Sequence, residues 1–575
     1  MDPVRGTEAP RLLLGPLLRH VDATSATVWV ETDRPCDVVL RAGGRSERER
    51  TWAVHGHHYA LVALTGLEPA SEHPYEVLLD DRSVWPEPES RFPPSVIRTI
   101  RPDASLRLAF GSCRRCAPDD DRARRAFGVD ALAGMAERMA VTAHEEWPDA
   151  LFLAGDQIYA DDPSPELVER LKAAHVDGDR AVRAEVQNFE EYTWLYHESW
   201  TPPPVRWLLS TVPSAMILDD HDLRDDWNSS LSWREWATAQ DWWRGRVTGA
   251  FASYWIYQHL GNLSPDELEQ DRMWALVRGT TDDAARTDAL DAFAWRSDAE
   301  PTSVRWSFYR DFGTPDHRIR LVVVDSRCSR RLGPDERSMV DDDEWQWVLD
   351  HARAGNLDHL LIGTTLPFLL PHGIHHLEGW NEAVTSRRTW RPVVARFGEV
   401  LRRAVDLEHW AAFRGSFDSM VDLLEDVIRG ADPPASVLVL SGDVHCSYTA
   451  RAELRTDHPA TAVHQLTQSP FRNPMETPLR LAYAALDVAP VRLLWHKMAR
   501  SARVTEVPLR WDVDHGPWFV NGVMTLVISG RDARVDVDGA TVRAGRPWLS
   551  PTASIPLTTA TPSGRAGFAD ERAAV

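Results

Sequence analysis

The chain is poor in cysteine and contains no long apolar run. Its five cysteines, an odd and small number for 575 residues, do not indicate a disulfide framework. No run approaches the roughly 18 apolar residues of a membrane span. The N-terminus also lacks the basic start, apolar segment and small-residue cleavage site of a signal peptide. We therefore expect a cytoplasmic protein without a membrane partner.

Positive charge is also scarce. Lysine and arginine total 64 against 86 acidic residues, a formal net charge of −22. Such a chain repels the phosphates of nucleic acids and anionic membranes, which excludes a general binder of either. Bound cations could cancel the charge locally, so a metal-assisted phosphate site remains allowed. With 43% apolar and 26% charged residues, the composition is that of a globular protein of at least two domains.

Two regions differ in their apolar pattern. Residues 11–98 alternate apolar and polar positions in short runs, which predicts an antiparallel β-sandwich domain over residues 1–100, with the Pro-rich WPEPESRFPPS as exit linker. A catalytic domain is predicted over residues 104–550, because continuous apolar runs there fit strands buried on both faces of an α/β core. The runs are LRLAF (106–110), ALFLAG (150–155), AMIL (215–218), RLVVVD (320–325), HLLIG (359–363) and SVLVLSGD (436–443).

Four other segments differ from this pattern. Residues 190–260 and 396–429 have helical character, whereas residues 279–304 are polar without periodicity and are expected to form an exposed insertion. Residues 551–575 have the composition of a disordered tail.

Metal-ligating residue types follow four of the apolar runs. LRLAF precedes GSCRRC, ALFLA precedes GDQIYADD, AMIL precedes DDHDLRDDW, and SVLVL precedes SGDVHC. Open α/β sheets collect their ligand sites at the carboxyl ends of the strands. Carboxylates gathered there would repel each other unless cations compensate them. The pattern predicts a metal site in which Asp156 and Tyr159 bind, with Asp156 as a bridge, while Asp161 and Asp162 are expected to be solvated loop residues.

With these motifs, the sequence resembles the PhoD-like alkaline phosphatases, a branch of the metallophosphoesterases. The matching pieces are FGSCRR, AGDQIYAD, LDDHDLRDDW, VVDSR and SGDVH, in that order. The resemblance covers roughly residues 10–545. It implies an α/β fold with a four-layer α-β-β-α metallophosphoesterase core and an N-terminal, fibronectin-III-like antiparallel β-sandwich.

The resemblance also implies a set of metal ligands. Asp220-His221 occupies the family's Asn-His position and Asp443-Val-His445 its late histidine motif. The implied metals are two or more ions, Fe(III) beside Ca²⁺, with Zn²⁺ or Mn²⁺ as alternatives. A phenolate and a thiolate suit Fe(III), and surplus carboxylates suit Ca²⁺. The implied ligands are Cys113, Asp156, Tyr159, Asp220, Asp443 and His445.

Three features depart from the family pattern. Asp226 replaces an asparagine ligand of relatives, so an amide becomes a carboxylate. Asn381 lies in WNE, where relatives commonly have a WDG-like stretch, and is included among the candidate substrate-binding residues. Well-known relatives are exported in folded form, whereas no secretion signal is recognised here.

Other residues have predicted supporting roles. His221 would protonate the leaving oxygen or orient the phosphate, steadied by Asp219. Arg114 and Arg115 would bind the substrate phosphate or form surface ion pairs. Asp325 and Arg327 are expected to form a buried structural pair.

Some patterns leave their interpretation open. Cys113 and Cys116 form a CxxC, which also suits a redox pair or half of a zinc knuckle. One of His372, His375 and His376 could line the pocket rim. A tryptophan-rich stretch is expected to form core or lid packing, with an aromatic wall for substrate as the alternative. Its members are Trp194, Trp200, Trp207, Trp227, Trp233, Trp236, Trp242 and Trp243.

The expected function is hydrolysis of a small-molecule phosphate monoester or diester by metal-activated hydroxide, with no primary role in nucleic-acid binding. Two alternatives remain. One is a dinuclear metal hydrolase of non-phosphate esters or amides, and the other is a metal-bearing binding protein. The oligomeric state and the role of the β-sandwich are undetermined by the sequence.

Overall fold

The computed structural model describes residues 9–558 except 104, 177, 334–335, 386–391, 455–460, 487 and 508. It is a mixed α/β fold that begins with antiparallel sheets. Within these residues, no helix has both the length and the apolar character required to cross a membrane.

The N-terminal strands form two antiparallel sheets, with strand orders β1-β2-β6-β5 and β4-β3-β7-β8, and β9 pairs with β7. Alternate side chains such as Val28, Val38, Tyr75 and Val77 point into one apolar cluster between them. The antiparallel sheets predicted from the alternating pattern are confirmed. The strands are β1 Leu12–Val21, β2 Ser25–Thr32, β3 Asp37–Ala42, β4 Arg45–Arg50, β5 Trp52–Val54, β6 His57–Thr65, β7 Glu72–Leu79, β8 Arg82–Trp85 and β9 Val96–Arg98.

The remaining strands build two mixed sheets. All six apolar runs of the sequence form strands of these sheets, as predicted. The strands are β10 Ser105–Gly111, β11 Ala150–Ala154, β12 Ser214–Ile217, β13 Phe308–Thr314, β14 His317–Val323, β15 Leu357–Gly363, β16 Ser436–Ser441, β17 Ser447–Leu454, β18 Ala462–Thr467, β19 Leu509–Trp518, β20 Gly522–Ser529, β21 Asp532–Arg543 and β22 Arg546–Pro556.

Helices lie between and beside these strands. They are α1 Asp121–Phe127, α2 Ala131–Met139, α3 Pro165–Ala174, α4 Phe189–Trp200, α5 Pro203–Thr211, α6 Leu231–Thr238, α7 Trp243–Tyr257, α8 Pro265–Gln270, α9 Arg272–Gly279, α10 Asp283–Ala299, α11 Asp342–Ala352, α12 His372–Thr385, α13 Pro392–Ala404, α14 Arg414–Arg429, α15 Thr477–Leu486 and α16 Ala489–Ser501.

The two mixed sheets face each other across an apolar cluster. Their strand orders are β12-β11-β10-β20-β21-β22 and β13-β14-β15-β16-β18-β17-β19. Phe110 and Phe152 of the first sheet lie in the same cluster as Leu361 and Leu438 of the second. Strands β10, β11 and β12 are parallel, as are β14, β15 and β16, so their carboxyl ends meet at common edges.

Two predictions about less regular segments were wrong. Most of residues 279–304 form α10, whose buried face carries Arg286, Leu290 and Ala294 at a spacing of four. Because polar and small residues occupy part of that face, the sequence shows no clear helical periodicity of apolar residues. The predicted tail begins too early, because residues 551–556 belong to β22 and pair with β21. Residues 559–575 lie outside the described residues.

The N-terminal sheets share their core with the rest of the chain. Leu14, Leu17 and Trp29 belong to the same apolar cluster as Trp255 and Tyr257 of α7. Arg19 of β1 is fully buried and donates hydrogen bonds to the carbonyls of Tyr257 and Gln258, both at 2.7 Å.

A cluster of charged groups around the buried Glu31 crosses the same boundary. Glu31 accepts hydrogen bonds from His57 at 3.0 Å and from His197 at 2.7 Å, and His57 also contacts Glu190 at 2.7 Å. Burial opposes the ionisation of Glu31, but the two histidines lower its pKa. Burial likewise opposes the protonation of His57, but Glu31 and Glu190 raise its pKa. The histidine and the carboxylates are therefore stabilised as ions.

We expect His57→Gln to lower the free energy of unfolding by about 1.5–3 kcal/mol near pH 5.5 and by less near pH 9. A raised histidine pKa stabilises the fold below the ordinary value of 6.5, and that contribution is lost as pH rises through the folded value. The lowered pKa of Glu31 contributes above 4.5 and is lost as pH falls. Denaturant unfolding at the two pH values measures the difference, with His58→Gln as control. An equal loss for His57→Gln at both pH values would contradict this account.

Candidate metal centre

The loops after β10, β11, β12 and β16 converge at one edge of the two sheets. The backbone N–H of Cys113 donates to the carbonyl of Gly155 at 3.2 Å, and that of Asp443 donates to Ser112 Oγ at 2.9 Å. In addition, the N–H of Asp156 donates to Asp222 Oδ2 at 3.0 Å. Hydrogen bonds within the protein therefore hold together segments more than 300 residues apart in sequence, independently of any metal ligation.

The backbone at this edge adopts strained conformations. Cys113, Asp156, Asp443 and His445 have φ values of 58°, 55°, 66° and 50°, in the left-handed region that side chains disfavour. Each costs about 1–3 kcal/mol, and such outliers concentrate at functional sites. Gly155 precedes Asp156 at φ 99°, where a Cβ would collide with Asp219, so only glycine fits this position of the GD motif.

Most of the predicted ligands come together in space. Within the described residues, three groups each have donor atoms within 4.8 Å of one another, and Asp156 belongs to two of them. The groups are Cys113, Asp156 and His445; Asp156, Asp220 and His221; and Asp219, Asp220 and Asp443.

The donor atoms at this edge fit a cation. Asp156 Oδ1 is buried without a hydrogen-bond partner. Burial and neighbouring carboxylates raise the pKa of Asp156 well above its ordinary value. Burial, Asp156 and Asp443 raise the pKa of the Cys113 thiol, and burial, Cys113 and Asp156 raise that of Tyr159. Without a positive charge these groups would hold their protons, and a bound cation is what would favour the thiolate, phenolate and carboxylate together.

Tyr159 and His445 lie on the same side of the site. Asn473 Nδ2 is 3.1 Å from the Tyr159 hydroxyl and 3.4 Å from His445 Nε2. Burial lowers the pKa of His445 to about 4, which keeps its ring neutral and available as a ligand. Asn473, which no sequence motif indicated, therefore positions two predicted ligands.

Asp226 lies beside the three groups without belonging to one of them. Its backbone N–H donates to Asp220 Oδ2 at 3.1 Å, and its own Oδ1 is buried without a partner. Burial and the charges of Glu408, Asp225 and Asp220 raise the pKa of Asp226 to about 7. The carboxylate is thus close enough to Asp220 to extend the acidic cluster.

Arg327 occupies the centre of the acidic cluster. Its fully buried guanidinium forms ion pairs with Asp219, with Asp220 at 3.2 Å and with Glu408 at 2.6 Å, and lies 3.6 Å from Asp443. The predicted pair with Asp325 is wrong, because Asp325 instead accepts the backbone N–H groups of Arg327 and Cys328. Asp325 thereby shapes the turn that directs Arg327 into the site.

His221 has a different partner from the one predicted. Its Nδ1 lies 2.9 Å from Asp161 Oδ1, while Asp219 pairs with Arg327. Asp161 is therefore not a solvated loop residue, whereas Asp162 is exposed and pairs with Arg115. Burial opposes the protonation of His221, but Asp161, Asp156 and Asp220 raise its pKa well above 6.5.

The sequence interpretation missed Glu378, Glu408 and His409. His409 Nδ1 contacts Glu378 at 2.6 Å, and its Nε2 lies 3.4 Å from Asp443 Oδ2. The charges of His409 and Arg327 lower the pKa of Asp443 to about 2, against the effect of burial. These residues follow no apolar strand, and no local motif marked them.

Two of the three predicted substrate-binding residues have structural partners instead. Arg114 is buried, pairs with Asp130 at 2.6 Å and donates to the carbonyl of Ser199. Asn381 is also buried; it donates to the carbonyl of Gly398 at 2.7 Å and accepts from Arg402 at 3.1 Å. Their predicted substrate contacts are therefore wrong, because each polar group is already used inside the protein. Arg115 remains partly exposed beside Asp162.

The open sequence patterns also have structural outcomes. Cys113 and Cys116 are both free thiols, and Cys116 contacts the carbonyl of Glu198. The groups of potential ligands in the described residues include none of the three histidines at 372–376, and His372 Nε2 donates to the Trp511 carbonyl at 2.9 Å. Five tryptophans of the rich stretch are buried in the main core, as expected for packing: Trp200, Trp207, Trp227, Trp233 and Trp243.

Comparisons with known proteins agree with this fold. A solved structure titled "Structure of PhoD" aligns over 96% of this chain and 91% of its own, with 12% identity and a TM-score of 0.58. At that identity the likeness shows the fold alone. A maltogenic amylase from S. marinus aligns over 94% of this chain and 78% of its own, with 8% identity and a TM-score of 0.16, which carries no structural likeness. None of the curated proteins matches the chain.

Family models match both parts of the chain. Residues 9–97 match a domain of unknown function, DUF7800. Residues 131–474, more than half of the 575 residues, match the PhoD-like phosphatase model and include most of the converging loops. The resemblance carried by the sequence motifs is confirmed, and the chain belongs to the PhoD-like phosphatase family.

Proposed function

We propose that the protein is a metal-dependent phosphoesterase that hydrolyses small-molecule phosphate monoesters or diesters. The observation that carries the proposal is the convergence of Cys113, Asp156, Asp220, His221 and His445 at one strand edge. The facing mixed sheets and their flanking helices support interpretation as a four-layer α-β-β-α metallophosphoesterase core. Nucleic acid is not proposed as a substrate, and a cytoplasmic location remains our proposal.

The donor types suggest which residues would hold which metal. Cys113, Tyr159 and His445 with Asp156 would suit Fe(III), and the carboxylates of Asp156, Asp220, Asp226 and Asp443 would suit Ca²⁺. Zn²⁺ or Mn²⁺ are the alternatives. Such ions supply Lewis-acid polarisation of the phosphoryl oxygens and a water of lowered pKa.

The chain itself would supply the proton for the leaving group. Asp161 holds Nδ1 of His221, which leaves Nε2 to act, and the raised pKa keeps the ring protonated. As a water oxygen bonds to phosphorus and the ester P–O bond breaks, the electron pair moves to the leaving oxygen. His221 would transfer its proton to that oxygen, while the attacking water loses a proton to solvent, from which the ring is protonated again. Partly exposed Arg115 could orient the phosphate from the rim.

Activity and metal content should be measured on the same purified protein. We expect release of product from aryl phosphate mono- or diesters and loss of that activity on chelation, with recovery after reloading. Carboxyl esters serve as the control substrates. Hydrolysis of carboxyl esters alone, or a protein that stays inert after reloading with iron, calcium, zinc or manganese, would refute the proposal.

We expect Asp161→Asn to lower kcat/KM for phosphate esters about 10–100-fold while bound metal is retained. The carboxylate fixes the ring of His221 and raises its pKa, and losing such a supporting partner typically costs this much. Asp316→Asn is the control, because this carboxylate is exposed in the turn between β13 and β14, away from the loops that form the site. Steady-state kinetics with elemental analysis distinguishes the two variants. Equal kinetics for both would remove Asp161 from the mechanism.

A further inference from the structure

Helix α13 turns an apolar stripe toward solvent. Val393, Phe397 and Val400 are 76%, 60% and 67% exposed, and their spacing of four and three places them on one helix face. Val394 and Leu401, on the neighbouring face, pack into an apolar cluster with residues of α12. The stripe is thus additional to the face that holds the helix in place.

Helix α16 repeats this composition. Leu493 and Leu494 are 52% and 54% exposed, although Ala499 of the same helix is buried in the cluster that α13 joins. Both α13 and α16 pack against α12. Soluble proteins seldom expose several large apolar side chains together without an interaction partner.

Basic residues accompany the apolar side chains. On these helices Arg396, Arg403, Arg492, Lys497 and Arg500 are exposed, and within the described part of the chain none forms an ion pair. Exposed arginines elsewhere, such as Arg48 and Arg353, have acidic partners. Helix α16 contains no acidic residue and α13 only Glu399. This region is therefore locally cationic in a chain of net charge −22.

We propose that these residues form a surface that docks on bilayers containing anionic phospholipids. We call this surface, formed by Val393, Phe397, Val400, Leu493 and Leu494 with the five basic residues, the basic apolar face. Helices with apolar side chains flanked by arginine and lysine bind the membrane interface in this way. The lipid phosphates supply the missing counter-charge, and the acyl region covers the apolar stripe.

Charge argues against a second copy as occupant. A two-fold dimer through the basic apolar face would place the same patch against itself, so the unpaired basic residues would oppose each other. The sequence-based expectation of no membrane partner rested on the absence of a long apolar run and on the net charge of the whole chain, and neither reveals this local excess of positive charge. The protein would bind the bilayer surface without spanning the membrane, and this binding would not depend on the proposed catalysis. From α13 the chain continues through Asp406 to Glu408 and His409 at the candidate metal centre.

The test is co-sedimentation of the full-length protein with vesicles of phosphatidylcholine alone or mixed with phosphatidylglycerol, at low and high salt. We expect binding to the mixed vesicles, weakened by salt. Phe397→Ser should lower the partition coefficient about tenfold or more. Arg396→Gln with Arg403→Gln should lower it about fivefold per charge. Val141→Ser, at an apolar residue that is 73% exposed elsewhere, is the control and should bind normally.

Hydrolysis of a water-soluble phosphate ester should be the same in all these variants, which separates docking from catalysis. Absence of vesicle binding, or binding that Phe397→Ser does not weaken, would overturn the proposal. So would a dimer in light scattering that Phe397→Ser dissociates while vesicles remain unbound, because a second copy would then cover the face.

Discussion

Asp156→Asn is expected to lower kcat/KM for phosphate esters about a thousandfold or more and to reduce the bound metal. Asp156 belongs both to the ligand group that contains Cys113 and to the one that contains His221. Its Oδ1 has no hydrogen-bond partner in the protein. Asparagine keeps the size but loses the charge that would bridge two cations. Because a bound cation supplies several kcal/mol of charge stabilisation, losing it costs several factors of ten in rate.

Elemental analysis and kinetics of the same preparation measure both effects. Asp316→Asn, in the exposed turn between β13 and β14, is the control and should retain metal and activity. Thermal unfolding shows whether the variant is folded. A folded Asp156→Asn protein with normal metal content and normal turnover would contradict the proposed metal centre.

The second large effect concerns stability. Arg327→Met should lower the free energy of unfolding of the metal-free protein by about 3–5 kcal/mol, because it leaves Asp219 and Asp220 buried without their counter-charge. Glu408 would lose one of its two arginine partners and keep Arg330 at 3.0 Å. The loss should grow with pH, since the uncompensated carboxyls bind protons more tightly in the folded than in the unfolded state. Added Ca²⁺ should restore part of the stability by binding the carboxylates.

Denaturant unfolding at low and neutral pH, with and without Ca²⁺, tests this expectation. Arg353→Met removes an exposed ion pair with Asp426 and should change stability by no more than about 1 kcal/mol. If Arg327→Met and Arg353→Met lowered the free energy of unfolding by the same small amount at neutral pH, Arg327 would not be the counter-charge that stabilises the acidic cluster.

The parts of the fold that were predictable from sequence have local signals. Continuous apolar runs marked the buried parallel strands, and the polar residues that end them marked the site edge. The flanking antiparallel strands, such as β21 and β22, are half-exposed and mixed in composition, so the apolar pattern of the sequence did not predict them.

The site residues that were missed, and those whose partners were mispredicted, depend on tertiary contacts. Arg327 pairs with Asp219, 108 residues away in sequence, and no local sequence pattern predicts such a contact. Arg114 directly follows Cys113, yet its guanidinium is directed to Asp130, with which it pairs at 2.6 Å. Proximity in sequence to a ligand therefore did not predict proximity to substrate.

The burial of Arg19 limits how this protein can be divided. Separate family models match residues 9–97 and 131–474, yet the Arg19 guanidinium from the first region satisfies backbone carbonyls of the second. A shortened chain starting after residue 100 would uncover Tyr257 and Trp255 and leave those carbonyls without donors. The two matched regions would consequently have to be exchanged or transplanted together, as a single cooperative piece.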